Sequence, residues 1–186
     1  MSDTALLVVD VQESFRYAPY WCEADLQPFT ERLQALIDGA ASQGMPVLQV
    51  FHIAPTGHFS LPSGHVRTLT PIAIHPDALF HKSKHSALVG TGLDTWLTQR
   101  GIRRLIVSGI RTEQCCETTT RHASDRGWAV DYVTEATLTF AMSHPNGQRY
   151  SPAEIKMRTE LVLAGRFARI VTVEDALAPA TLQAVA

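Results

Sequence analysis

The chain has 186 residues, 45% of them hydrophobic and 18% charged, with a formal net charge of −2. That is enough chain for one domain with a sizeable core. It holds no basic stripe for nucleic acid, no polybasic segment for a membrane surface and no apolar run long enough to span a bilayer. Three cysteines, two of them adjacent, are poor material for a disulfide framework. The start, Met1-Ser2-Asp3-Thr4, lacks the basic and apolar runs of a signal peptide, so a cytoplasmic location is expected.

Strand-like and helix-like segments alternate along the chain. Ala5-Leu6-Leu7-Val8-Val9 is a continuous apolar run, as a strand buried on both faces should be. Leu26, Phe29, Leu33, Leu36, Ile37 and Ala40 form one helical stripe, stopped by Gly44 and Pro46. Residues 46–51 make a second strand and 78–81 a weaker third. Thr91 to Arg100 reads as a helix, with Thr91 and Asp94 at capping-box spacing and Gly101 as its stop. Arg104 to Val107 is a fourth strand, followed by a helix from the Cys115 region to about Arg126. Ala129 to Val133 is a fifth strand. Ser151-Pro152-Ala153-Glu154 opens a helix that ends at Gly165, and Arg169 to Val173 is a sixth strand before a short helix or tail. The connections Ile53 to Pro76 and Phe140 to Ser151 look irregular, as functional loops often do. Six apolar strands with intervening helices predict an α/β fold: a parallel, Rossmann-like sheet covered on both faces, in a single domain over 1–186.

In open α/β sheets, ligands lie beyond the carboxyl ends of the strands where strand order reverses. Asp10 follows the first strand, Lys82 ends the third, and the loop after the fourth leads to Cys115. A carboxylate, an ammonium and a thiol therefore fall on one rim and form a workable set for nucleophilic catalysis. A cysteine in the first turn of a helix is also placed for thiolate stabilisation.

These residues stand in three motifs. Val9-Asp10-Val11-Gln12 is the first. Lys82 with Ser86-Ala87-Leu88 and Gly90-Thr91-Gly92-Leu93 is the second. Gly109-Ile110-Arg111-Thr112 with Cys115 and Thr119 is the third. In this order and spacing the chain resembles the isochorismatase-like cysteine hydrolases, from Ala5 to about Ala136. The resemblance implies an Asp–Lys–Cys triad mapping onto Asp10, Lys82 and Cys115. It implies a cis peptide before Arg111, an oxyanion hole formed by the backbone N–H groups of Arg111 and Cys115, and a homodimer or homotetramer. It also suggests that Gln12 helps fix the aspartate.

Each residue has a plainer reading. Asp10 can cap a turn, Lys82 can be a solvated lysine with Lys84 as rival, and Gln12 can be a surface residue. Cys116 is expected in the core. Thr112 reads as the cap of the cysteine helix, and Glu117 with Arg121 as a solvated i,i+4 pair. His52 and His58 are spaced like the metal ligands of the nicotinamidase branch of the superfamily, and His65 could complete a site. That branch has an aspartate two residues before the first histidine, where this chain has Val50, so neither a metal nor another cofactor is assigned. His52 and Phe15 are instead substrate-pocket candidates, with Tyr17, Tyr20 and Trp21 as further aromatic walls. The Arg111 side chain could bind a substrate carboxylate, or pair with Glu113 or a neighbouring subunit.

The expected activity is hydrolysis of a small molecule at an amide or carbamoyl C–N bond, through a thioester on Cys115 with Asp10 as proton carrier in both halves. The alternatives are a metal-dependent nicotinamidase-type amidase, a vinyl ether hydrolase of the isochorismatase type, and a non-catalytic binding protein of the same fold.

Overall fold

The computed structural model describes residues 2–178. Six strands form one parallel sheet: β1 (Thr4–Val9), β2 (Val47–His52), β3 (Ala78–Lys82), β4 (Arg104–Ile110), β5 (Ala129–Leu138) and the short β8 (Arg169–Ile170). Their order is β3-β2-β1-β4-β5-β8. The chain winds outward from β1 in one direction through β2 and β3, then returns to the other side of β1 with β4. Strand order thus reverses between β1 and β4, the place where open α/β sheets leave a crevice.

The helices are α1 (Leu26–Ser42), α2 (Leu93–Gln99), α3 (Glu117–Asp125), α4 (Pro152–Leu163) and α5 (Val173–Leu177). The alternation of β1 divides the core. Leu6 and Val8 join one apolar cluster with Phe29, Leu33, Leu36 and Ile37 of α1 and Val173 of α5. Ala5, Leu7 and Val9 join the other with Leu93 and Leu97 of α2, Ala123 of α3 and Leu163 of α4. Each fully buried leucine contributes about 1.5–3 kcal/mol to this double core, which is why β1 reads as an unbroken apolar run.

Several local expectations are corrected. The predicted sixth strand is two residues long, because only Arg169 and Ile170 pair with Asp131 and Tyr132. The chain then turns at Thr172, whose hydroxyl caps α5 by accepting from the Asp175 N–H at 3.0 Å. The remainder of the expected tail, 179–186, lies outside the described residues. The 140–151 connection holds a small antiparallel ribbon, β6 (Met142–Ser143) with β7 (Arg149–Tyr150), and the 53–76 connection holds two 3-10 turns. Helix α4 begins with a complete capping box between Ser151 and Glu154. No such box forms between Thr91 and Asp94: α2 starts at Leu93 after Gly92, and the Thr91 hydroxyl takes the Leu93 N–H instead. Among the described residues no helix is long and apolar enough to cross a membrane.

Candidate active site

Val9 of β1 lies beside Gly109 of β4 at the reversal point. The contact is so close that a Cβ on Gly109 would stand 2.0 Å from the Val9 carbonyl oxygen, and Gly109 has φ +126°. Only glycine fits. One residue further, Asp10 turns into the left-handed region at φ 54°, which aspartate tolerates better than most residues. That turn ends β1, and Asp10 contributes to the wall of the cavity beyond the strand ends.

β3 delivers Lys82 to the same place. Its Nζ is 2.7 Å from Asp10 Oδ2, with both side chains enclosed, and 3.3 Å from Cys115 Sγ. It also lies 3.2 Å from His52 Nδ1 and donates to the Lys84 carbonyl at 3.1 Å. Lys84 therefore serves through its backbone, and Lys82 is the lysine brought to the sulfur. After β4 the Ile110–Arg111 peptide is cis, and residues 112–116 make one π turn before α3. Cys115 and the buried Cys116 lie in that turn, Cys116 in the core as expected.

The electrostatics differ from those expected of a helix start. Burial, then the Asp10 carboxylate, push the Cys115 thiol up to about 12, with Lys82 opposing. The resting sulfur is thus a protonated thiol rather than a thiolate. Burial also raises Asp10, against the pull of Lys82. For Lys82 burial acts downward, but Asp10 and Cys115 outweigh it and the ammonium is held above its usual range. Lys82 pairs with Asp10 Oδ2, and the Cys115 thiol is the carboxylate's other hydrogen-bonding neighbour. A buried carboxylate beside a thiol is placed to receive its proton.

The motif residues around this set hold it together. Ala87 N–H donates to Thr119 Oγ1 at 2.9 Å, and Ser86 Oγ lies 2.8 Å from His122 Nδ1. The turn after Lys82 is thereby fastened to α3. Gln12 does not line the cavity. Its amide accepts from the His52 N–H at 2.8 Å and donates to the His52 carbonyl and Ser14 Oγ, so it clasps the end of β2. The Arg111 side chain pairs with one of its expected partners, Glu113, at 2.9 Å. Its guanidinium lies over the Tyr20 ring, 4.8 Å from the centroid. Thr112 is no helix cap: its hydroxyl meets Thr137 Oγ1 at 2.7 Å. Glu117 is buried rather than solvated, bonded by Arg121, Arg158 and Thr159, and so joins α3 to α4.

The cavity above Cys115 measures about 440 Å³. Phe15, Tyr17, Tyr20 and Phe59 give it an aromatic wall, with Phe15 edge-on to Phe59 at 5.0 Å. Trp21 stands outside, against Phe140. His52 lines the cavity; burial and the neighbouring Lys82 lower its imidazole to about 4. His58 and His65 both pack on the Tyr17 ring, at 4.5 and 4.1 Å, while His52 turns Nδ1 to Lys82. Among the described residues no group of three or more His, Cys, Asp or Glu side chains is arranged to hold a metal ion. Sequence reasoning passed over Phe59, Gln114 and His85, which also line the cavity. His85 follows the third strand by three residues, and that position was the available signal.

Residues 4–175 match the family model described as the isochorismatase domain. The chain belongs to the isochorismatase family. Within that family it is 30% identical to Nicotinamidase 3 of Arabidopsis thaliana over 152 residues, covering 73% of each chain. It is 25% identical to an isochorismatase family protein of Bacillus subtilis, covering 92% of each. A solved isochorismatase-family structure from Chromobacterium violaceum superposes with TM-score 0.85 at 25% identity, over 95% of this chain and 93% of that one. The six-stranded parallel sheet is the fold these isochorismatase-like relatives share, and the protein is an enzyme of this hydrolase superfamily.

Proposed function

We propose that the protein hydrolyses a small-molecule amide or carbamoyl C–N bond through a thioester on Cys115. The observation that carries this reading is the buried Lys82 ammonium, 2.7 Å from Asp10 and 3.3 Å from Cys115, two residues that line the cavity. Asp10 removes the proton from the Cys115 thiol as the sulfur attacks the substrate carbonyl, and Lys82 stabilises the charge passing between them. The N–H groups of Arg111 and Cys115, at the bend after β4, receive the oxyanion. Asp10 then hands its proton to the leaving amine. A resting thiol beside the Asp10 carboxylate is the arrangement that transfer needs.

The aromatic wall and the similarity to a nicotinamidase favour flat aromatic amides as the first substrates to test. His52 engaged with Lys82, and Val50 in place of an acidic residue, favour metal-independent chemistry over the metal-dependent amidase reading. A thiol beside Asp10 and Lys82 favours C–N hydrolysis over vinyl ether cleavage and over mere binding. Free Cys22, Cys115 and Cys116 accord with a cytoplasmic location. A single domain and a homodimer or homotetramer belong to the same proposal, the latter read by light scattering.

The test is an ammonia-release screen over small amides and carbamoyl compounds, run with Cys115→Ala as blank and with a chelator arm. Release by the wild type, absent in Cys115→Ala and indifferent to chelator, is expected. Release that persists in the folded Cys115→Ala protein overturns the reading.

A further inference from the structure

Once an acyl group sits on Cys115, water must reach its carbonyl carbon from the cavity and lose a proton as it attacks. Three titratable side chains among the described residues approach the sulfur. Lys82 is enclosed, and Asp10, which shares the cavity wall, is paired with it. His85 is different: it is exposed, it lines the cavity, and its Nδ1 lies 3.9 Å from Cys115 Sγ. That separation is too long for a strong bond to the sulfur, so the ring is not tied up by it. The other imidazole of the cavity near Lys82, His52, has its Nδ1 engaged by the ammonium at 3.2 Å. His85 is also carried on a firm mount. The next two residues, Ser86 and Ala87, are bonded to His122 and Thr119 of α3, the helix that follows the cysteine turn. Ring and sulfur are therefore held by one unit.

We infer that His85 is the general base of deacylation, acting on the water that attacks the Cys115 thioester. The inference rests on the thioester reading and gives its second half a residue other than Asp10. In this step the water oxygen bonds to the acyl carbon and its proton passes to the imidazole. The tetrahedral intermediate then collapses: the C–S bond breaks, its electron pair returns to Sγ, and the imidazolium returns the proton to the sulfur. The acid product leaves and the resting thiol is restored.

The probe is p-nitrophenyl acetate, whose leaving group needs no protonation, so acylation bypasses Asp10's role as acid. Nitrophenolate release is followed against time, and acetylation of Cys115 by peptide mass after acid quench, for wild type, His85→Gln and His85→Ala. The expected result is acetylation of Cys115 at the wild-type rate in both variants. Steady-state turnover should fall about 10²-fold, with acetyl-enzyme accumulating and added imidazole restoring turnover in His85→Ala. Unchanged steady-state turnover in His85→Gln overturns the proposal. So does a loss shared equally by acetylation and turnover and untouched by imidazole, which marks a structural role. Absence of any acetyl group on Cys115 in wild type and variants alike overturns the thioester reading itself, and the base with it.

Discussion

Asp10 and Lys82 act on the Cys115 thiol in opposite directions, and single substitutions separate them. Burial and Asp10 raise the thiol while Lys82 lowers it. Asp10→Asn removes the negative charge and leaves the ammonium opposed by burial only, so the thiol falls from its resting position near 12. Alkylation of Cys115 by iodoacetamide near neutral pH is expected to quicken in Asp10→Asn even as turnover falls by 10² or more. Peptide mass keeps Cys115 apart from the exposed Cys22. Slower labelling in the variant would show that Asp10 favours the thiolate. Lys82→Met strands a buried carboxylate, at a cost of about 3–5 kcal/mol, and Asp10→Asn in the same chain should recover part of it. The sign with pH follows from Asp10. Its folded pKa is raised above the usual 3.8, and it climbs further without the lysine. Such a group stabilises the fold fully below 3.8, and that stability is lost as pH rises through the folded value. The deficit of Lys82→Met against wild type should therefore be smallest in acid and widen toward neutrality, as read from urea midpoints across that range.

Among the elements, β1 and β4 carry the tightest constraint. A methyl group on Gly109 meets backbone of Val9, not a side chain that can swing aside, so Gly109→Ala should cost more than about 4 kcal/mol or prevent folding. Gly165, at φ +69° with nothing within 4 Å of its virtual Cβ, supplies the control: Gly165→Ala should cost only about 1 kcal/mol. Equal urea midpoints for the two would refute the close-contact account. Much of this architecture is legible in the residues. Unbroken apolar runs such as Ala5–Val9 announce doubly covered strands, and the six-residue stripe of α1 and the Ser151–Glu154 box announce helices. What hides is what depends on partners distant in sequence. Glu117 and Arg121 look like a surface pair until Arg158 and Thr159 of α4 close over them. The two-residue strands β6, β7 and β8 carry no periodicity. The π turn at 112–116 has the composition of a helix start but a different hydrogen-bond pattern.

For the whole molecule, the two apolar clusters share one sheet, since alternate residues of β1 belong to each. Neither half can loosen while the other stays packed. Urea unfolding should give one transition, with circular dichroism and tryptophan fluorescence coincident; two separated transitions would refute a single domain. The same sheet explains why the rim was readable: residues that end parallel strands must gather at one edge, so Asp10, Lys82 and Cys115 converge whatever loops intervene. Gln12, Arg111 and His85 were harder to place because side-chain direction, not strand position, decides what they touch. The surroundings of Lys82 carry a last implication. Its ammonium has three hydrogens and four close neighbours: Asp10, Cys115, His52 and the Lys84 carbonyl. While the sulfur is free, one neighbour always goes short. On the thioester reading, acylation makes the sulfur a poor acceptor and the remaining three match the supply. On that reading Lys82 then holds Asp10, His52 and the Lys84 carbonyl without a competitor.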